Sequence, residues 1–228
     1  MQELDSSVHV WLTSGLEAPD ADLVALRNAL IDEEQNRFDR FHFDVDRIRF
    51  ARSRIFLRNV LGSYLNSAPT DIRFDYGEFR KPRIAPEESL QFSFSRSGDV
   101  ALVGLSSSEI GADVERVREL PDWEGIVRSQ FSSRENEFLL SAESGIEEFF
   151  EVWTGKEAFI KGTGRGLQCP LDGFSVVPTG TELRAVEGPE SDGDWLVANL
   201  ESALKGYHAA VAQHGNWLPI QTRNWVND

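Results

Sequence analysis

The stretch FFEVWTGKEAFIKGTGRGL, residues 149–167, decides how the rest of the chain is arranged. Apolar side chains recur through it at helical spacing, from Ile146 just upstream to Ile160, which predicts an amphipathic helix. Three glycines then follow, as expected beyond a helix C-terminus. Glu157 would lie on the apolar stripe, where an unpaired charge is costly, and Lys161 one turn later could share its solvation. The two charges indicate a further partner, such as a metal ion or a phosphate group.

The composition limits the class of protein. The chain has 228 residues, 40% of them hydrophobic, which is enough for the core of one domain or two small ones. A net charge of −15 argues against binding to nucleic acid, whose phosphates would be repelled. Cys169 is the single cysteine, so no disulfide framework is predicted. The first residues lack a signal-peptide pattern and no apolar run reaches membrane-spanning length, so we expect a soluble cytoplasmic protein.

One segment reverses the overall charge. Between residues 37 and 58 seven arginines stand against three aspartates, a local charge of +4. The arginines are Arg37, Arg40, Arg47, Arg49, Arg52, Arg54 and Arg58. Taken alone, a solvated helix face is the more ordinary interpretation, and an anion-binding site is the alternative. Asp44 and Asp46 in this segment could form a D-x-D metal pair, but helix capping is the better interpretation.

The predicted elements fall into two similar runs. A long helix over residues 44–65 is followed by strand patterns at 72–76, 91–95 and 100–106, with a loop near 81–86. The helix at 149–167 is likewise followed by strand patterns, including 174–177 and 207–214. This order predicts an α+β protein of two similar halves, residues 1–106 and 107–228, each a long helix on a small, mainly antiparallel sheet. A cleft between the halves is the expected binding site.

The sequence also contains a pair of acidic residues on a predicted strand. Asp113 and Glu115, in GADVE, are two residues apart and would point to one face. Such oxygen ligands suit Mg²⁺ combined with substrate phosphates, although a solvent-facing acidic pair is the ordinary interpretation. Glu157 and Lys161 alone would equally be a routine helix pair. The histidines show no zinc-binding spacing, and the Gly-Thr-Gly-Arg-Gly run is not a P-loop because it follows a helix and lacks the Lys-Ser/Thr ending.

Together the two weak patterns resemble the signature of one family. G-x-D-x-E at residues 111–115 is followed by W-x-x-K-E-x-x-x-K at 153–161, as in the 4′-phosphopantetheinyl transferases, specifically the double-length surfactin-synthetase (Sfp) type. The similarity covers about residues 37–177. It includes the pairs Arg40-Phe41 and Lys81-Pro82, the strand at 92–98, Glu135, and the segment from Gly166 to Asp172.

The resemblance implies a fold and a set of site residues. The family fold is a pseudo-twofold pair of α/β halves in one chain, which agrees with the doubled layout. Asp113, Glu115 and Glu157 would bind Mg²⁺, and Lys161 and Lys156 would lie near the coenzyme A pyrophosphate. The residues expected at the 3′-phosphate and adenine end of coenzyme A are Arg49, Lys81, Ser95 and Arg96. In that strand Ser93 and Arg96 replace the usual Asn and His of the family.

The implied reaction is attack by a serine hydroxyl of an apo carrier protein on the β-phosphorus of coenzyme A. It would depend on Mg²⁺ and release adenosine 3′,5′-bisphosphate. Glu157 is one candidate for the general base and Glu135 is the other. A non-catalytic protein that binds coenzyme A or a carrier is the alternative function. We expect a monomer with no nucleic-acid or membrane partner, acting on a carrier of fatty acid, polyketide or nonribosomal peptide synthesis.

Overall fold

The computed structural model of the protein describes residue 4 and residues 6–79, 81–86, 89–141, 145–177, 183–191, 193–200 and 204–226. Within these residues the α-helices are α1 (Leu23–Asn28), α2 (Asp32–Phe38), α3 (Asp44–Leu65), α4 (Trp123–Gln130), α5 (Ser133–Leu139) and α6 (Ile146–Thr163). The strands are β1 (Val8–Thr13), β2 (Arg73–Tyr76), β3 (Pro82–Ala85), β4 (Gln91–Ser97), β5 (Val100–Ser106), β6 (Ile110–Arg116), β7 (Leu183–Ala185), β8 (Trp195–Asn199), β9 (Tyr207–His214) and β10 (Ile220–Asn224). None of the described helices is long and apolar enough to cross a membrane.

The first half of the molecule is a four-stranded sheet, in the order β10-β1-β5-β4, with α3 packed on one face. Phe56, Leu57 and Leu61 of α3 are buried against Val103 and Leu105 of β5. The helix ends at residue 66 in the left-handed conformation (φ 51°), a common way to terminate a helix. The apolar stripe predicted for residues 44–65 therefore serves to bury the inner face of this sheet.

The second half repeats the plan, with a sheet in the order β6-β9-β8-β7 and α6 lying across β6 and β9. Phe159 of α6 packs with Val197, Ala210 and Ala212 of this sheet. The helix ends at Gly164, whose φ of 69° is the left-handed conformation predicted from the glycine run. The predicted α+β class with two similar, mainly antiparallel halves is confirmed; among the described ladders only β1 with β10 is parallel.

The two sheets meet where β4, an edge strand of the first sheet, lies beside β6, an edge strand of the second. The side chains of three alternating serines of β4 join the two edge strands. These residues are Ser93, Ser95 and Ser97. Ser93 Oγ accepts a hydrogen bond from the Ala112 amide (2.9 Å). The other two donate to carboxylates, Ser95 to Asp113 (2.6 Å) and Ser97 to Glu115 (2.7 Å). Hydrogen bonds to charged groups contribute about 1.5–3 kcal/mol each, so this seam both joins the halves and orients the acidic pair.

The chain does not divide cleanly at residue 106. The predicted boundary falls between β5 and β6, but β10, at the end of the chain, returns to pair with β1 of the first sheet. Arg223 of β10 also contacts His9 and Tyr64, which are buried in the first half. The first half is therefore completed by residues from the end of the chain.

Several local predictions need correction. The leucines within residues 20–30 predict a first helix with Asp20 as a possible N-cap, whereas the observed α1 is shorter and its N-cap is Asp22. Residues 174–177 form a single bridge, Ser175 with Glu187, instead of a strand. The loop near 81–86 contains strand β3, and α2, α4 and β10 were not predicted. The helix α3 begins after Phe43, so its two first-turn aspartates are not caps; they pair with arginines three residues further on.

A sheet and a helix come into very close contact at Gly111, in the middle of β6. A Cβ atom there would lie 1.8 Å from the Ala158 carbonyl oxygen and 2.3 Å from the Gly162 amide nitrogen, both in α6. Gly162 is equally constrained, since its Cβ would lie 2.5 Å from the Trp195 ring. Only glycine lets the two backbones come together in this way.

We therefore expect Gly111→Ala to force β6 and α6 apart. Overpacking of this kind costs about 1–3 kcal/mol, so the free energy of unfolding in urea should fall by that amount. The matched control is Gly155→Ala in the same helix, where the new Cβ would meet Val176 and Val197 at 3.5 Å, an ordinary contact. That control should be neutral or slightly stabilising, because alanine favours a helix over glycine by about 1 kcal/mol. Equal stability of the two variants would show that the close contact is not required.

Candidate functional site

A cleft with a volume of about 640 Å³ lies between the two halves. Its lining comes from α3 and β4 of the first half, α6 of the second half, and the segment of residues 164–171. Tyr76 and Phe79 also line it and remain 60% and 42% exposed, which offers two aromatic rings to a bound molecule. Apolar and basic groups are both present, as expected for a ligand that carries a ring system and phosphates.

Asp113 of β6 is the most deeply buried carboxylate beside this cleft, at 1% exposure. Its Oδ1 atom accepts hydrogen bonds from Ser95 Oγ (2.6 Å) and from the Lys161 ammonium (2.5 Å). Its Oδ2 atom is buried and has no hydrogen-bond partner within the described part of the chain. A buried, charged oxygen without a partner is costly, so this atom points to a ligand that binds there.

Two further carboxylates lie near Asp113, and their environment disfavours the charged form. Burial raises the pKa of Glu115, with a further contribution from the charge of Asp113, while Ser97 opposes the shift. Burial also raises the pKa of Glu157, which lines the cleft, and Asp113 adds to that shift while Lys161 opposes it. A positive charge would relieve both groups.

These residues fit a divalent cation by their chemistry. In the described ranges no group of three His, Cys, Asp or Glu side chains is close enough to form a finished metal site. Carboxylate oxygens are nevertheless the ligands that Mg²⁺ prefers, and Mg²⁺ is usually held by one or two carboxylates together with substrate phosphates. The unpartnered Oδ2 of Asp113 is the atom of this structure that supports the fit.

Lys156 and Glu135 are not in the cleft, which differs from the sequence-based expectation. Both side chains are completely buried and form an ion pair, with Lys156 Nζ 2.9 and 2.7 Å from the two Glu135 oxygens. Lys156 also donates to the Phe174 carbonyl, and Glu135 accepts from the Val176 amide. Burial lowers the pKa of Lys156, and the charge of Glu135 opposes that shift. The pair fixes the segment after α6, and neither group is positioned to touch a substrate.

Lys81 lies in the cleft wall, but its ammonium is already engaged. Its Nζ donates to the Gly162 carbonyl (2.6 Å) and the Ile110 carbonyl (3.2 Å), the residues beside the close contact of β6 with α6. Burial lowers the pKa of Lys81 to about 8. A lysine so placed both supports the wall and adds positive charge to it.

Arg49 and Arg96, the two arginines expected near the 3′-phosphate, lie in different surroundings from each other. Arg49 is ion-paired with Glu17 (2.5 Å) and with Asp46 (3.4 Å). Arg96 is exposed as a residue, yet partial desolvation of its guanidinium group, together with the charges of Arg37 and Arg49, lowers its pKa. A group of like charges close enough to shift one another favours the approach of an anion.

Two residues of the cleft were missed by sequence reasoning. Arg37 and Arg54 of the basic segment line the cleft, where Arg54 stacks on the Phe74 ring at 5.3 Å. The excess of arginines in residues 37–58 predicted local positive charge, but it did not indicate which arginines face the ligand. Others of the seven are structural: Arg58 is buried against Glu34.

The serines that orient the acidic pair were only partly recognised. Ser95 was assigned to coenzyme A, whereas in the structure it holds Asp113, and Ser97 holds Glu115. Their alternation along residues 93–97 is a readable signal, because every second side chain of a strand points to the same side. What the sequence could not show is that this side faces β6.

Comparison with known proteins agrees with this geometry. The sequence model described as the 4′-phosphopantetheinyl transferase superfamily matches residues 109–212, and the one described as 4′-phosphopantetheinyl transferase, N-terminal, matches residues 17–109. The chain is 36% identical to the 4′-phosphopantetheinyl transferase HetI of a Nostoc species over 185 residues, 78% of this chain and 77% of that protein. It is 32% identical to ffp and 30% identical to Sfp, both 4′-phosphopantetheinyl transferases of Bacillus subtilis, with 78% of this chain and 80% of each relative covered. With both halves matched, the chain belongs to the 4′-phosphopantetheinyl transferase superfamily.

Proposed function

We propose that this protein transfers the 4′-phosphopantetheine group of coenzyme A to a serine hydroxyl of an apo carrier protein. The observation that carries the proposal is the arrangement of Asp113, whose Oδ2 is buried and unpartnered, beside Lys161 and Glu157 at a cleft. A transferase of a pyrophosphate-linked group needs little covalent chemistry from the protein. It needs charge neutralisation and accurate positioning, and this cluster supplies both.

Asp113, Glu115 and Glu157 would hold Mg²⁺ in the working enzyme. The cation, when bound, would neutralise charge on the pyrophosphate of coenzyme A. The serine seam supports this assignment, because Ser95 and Ser97 fix two of the three carboxylates from the opposite sheet. Glu157 approaches from α6, so the three ligands would come from elements that the close contact of β6 with α6 holds together.

The adenosine end of coenzyme A would lie toward the basic segment. We assign the 3′-phosphate to Arg96 with Arg37 and Arg54, because these guanidinium groups influence one another electrostatically and two of them line the cleft. Arg49 would contribute less than the sequence suggested, since Glu17 and Asp46 already share its charge. The exposed rings at the cleft offer a surface for the adenine.

The reaction forms one bond and breaks another. The serine Oγ of the carrier bonds to the β-phosphorus of coenzyme A while the bridging P–O bond breaks, and adenosine 3′,5′-bisphosphate leaves with the electron pair. Glu157 would accept the serine proton, because it is the carboxylate that lines the cleft where the hydroxyl would lie. Lys161 would offset the charge on the departing phosphate. Glu135 is a poor alternative as the base, since Lys156 occupies both of its oxygens.

We further propose that the enzyme acts as a monomer in the cytoplasm, because one chain supplies both halves of the cleft. Its partners would be coenzyme A and an acyl, peptidyl or polyketide carrier protein. A non-catalytic protein that binds coenzyme A or a carrier remains the second candidate. The ammonium of Lys161 and the carboxylate of Glu157 in the cleft wall, with Asp113 and Glu115 beside them, favour the enzyme.

The direct test is intact-mass spectrometry of an apo carrier protein incubated with coenzyme A, Mg²⁺ and this enzyme. We expect the carrier to gain the mass of one phosphopantetheine group. Binding of coenzyme A without any mass increase, over a panel of acyl, peptidyl and polyketide carriers, would favour the non-catalytic candidate.

Substitution of Asp113 tests the assignment of the site in the same intact-mass assay. Asp113→Ala should lower transferase activity about 100-fold or more. The variant lacks a carboxylate that would hold the cation, and the transition state needs that positive charge. The variant should still fold, because the buried apolar side chains of β6 and the close contact at Gly111 hold this strand in place without the carboxylate. Asp194→Ala, which removes an exposed aspartate outside the cleft, is the matched control and should keep full activity. Near-normal turnover by the Asp113 variant would refute the site assignment.

A cycle of two enzymes and two substrates tests Arg96. A charge-assisted hydrogen bond is worth about 1.5–3 kcal/mol, so Arg96→Ala should lower kcat/KM for coenzyme A about ten- to a hundredfold. With 3′-dephospho-coenzyme A the same variant should lose little, because the phosphate it contacts is absent. Arg128→Ala, an exposed arginine on α4, controls for the loss of one positive charge. Equal losses on both substrates would mean that Arg96 does not contact the 3′-phosphate.

A further inference from the structure

The acidic cluster carries a net charge of −2, which one divalent cation would neutralise. Asp113, Glu115 and Glu157 carry three negative charges when ionised, and they lie close enough to influence one another electrostatically. Lys161 is the single ammonium bonded to this cluster among the described residues. The remaining charge of −2 matches one divalent cation, and the question is where the lysine goes when that cation binds.

Lys161 is placed on the carboxylate that a cation would use. Its Nζ lies 2.5 Å from Asp113 Oδ1 and 2.8 Å from Ser95 Oγ. Ser95 in turn donates to the same Oδ1, so one carboxylate oxygen receives both hydrogen bonds while Oδ2 receives none in the described structure. The lysine side chain is 33% exposed and lines the cleft, so its ammonium has room to turn toward a ligand there.

We propose that Lys161 stands in for the divalent cation in the ligand-free protein and competes with it for Asp113. This inference rests on the proposed function, because it concerns the same cluster. An ammonium in contact with a carboxylate repels an incoming cation. It also occupies an oxygen of the carboxylate that the cation would bind. The cation therefore binds weakly on its own. The cation would bind more tightly together with a pyrophosphate. Lys161 would then contact the phosphate oxygens and leave Asp113 to the cation.

The proposal assigns two successive roles to one lysine. Before substrate binding, Lys161 reduces the electrostatic cost of burying Asp113. After binding, it contacts the pyrophosphate, where the reaction needs positive charge.

Metal binding without coenzyme A tests the proposal. Free Mn²⁺ is measured by its electron paramagnetic resonance signal while the enzyme is titrated, with neither coenzyme A nor carrier present. Lys161→Met should bind Mn²⁺ about ten- to a hundredfold more tightly than the unaltered protein, the range expected for loss of one charged hydrogen bond. The same variant should be slower in phosphopantetheine transfer, so affinity and activity move in opposite directions.

Lys205→Met is the matched control, since Lys205 is an exposed lysine in the turn before β9. It removes the same charge and should leave Mn²⁺ affinity unchanged. Lys161→Gln, which keeps a polar side chain, should behave as the Met variant does and replaces it if that variant does not fold. Unchanged or weaker Mn²⁺ binding by a folded Lys161 variant would overturn the proposal, as would equal tightening by Lys205→Met. Failure of the transferase assay with the unaltered enzyme would instead overturn the proposed function.

Discussion

The contact between two glycines, Gly111 of β6 and Gly162 of α6, is the constraint on which the site depends. With no side chain on either residue, the strand and the helix touch backbone to backbone. Asp113 lies two residues beyond Gly111, and Lys161 immediately precedes Gly162, so the contact sets the separation of carboxylate and ammonium at 2.5 Å. A Cβ atom on Gly111 would push the two elements apart and with them the two charges, whereas one on Gly162 would first meet the Trp195 ring at 2.5 Å. The chemistry of the cleft therefore follows from a packing requirement.

The fold could be predicted where local pattern and long-range packing agree. The helices α3 and α6 bury continuous apolar stripes, so periodicity alone revealed them. Helix α2 was missed because six of its seven residues are polar. Its buried Glu34 is held by Arg54 and Arg58, a contact with α3 that no local pattern contains. Strand β10 was missed for a related reason, since its residues are partly exposed and pairing with β1 defines it.

The site was predictable in part, and the errors have a geometric cause. The spacing of Asp113 and Glu115 on a strand correctly indicated one shared face. Lys156 and Glu157 are adjacent on a helix, and adjacent helical residues point about 100° apart. Both could not face the cleft: Glu157 does, and Lys156 is buried with Glu135. The arginines were recognised as a group, but which of them reach the cleft is a property of the folded chain. Arg58 is buried against Glu34 and Arg49 pairs with Glu17, whereas Arg54 lines the cleft although it also contacts Glu34.

We expect coenzyme A to bind across the cleft and to contact both halves of the protein. Hydrogen–deuterium exchange, measured by mass spectrometry with and without coenzyme A and Mg²⁺, tests this directly. Exchange should become slower in peptides from both sides of the cleft: the segment near Tyr76 and Phe79 in the first half, and residues 157–171 in the second. Protection confined to one half, or found only at surfaces outside the cleft, would contradict it.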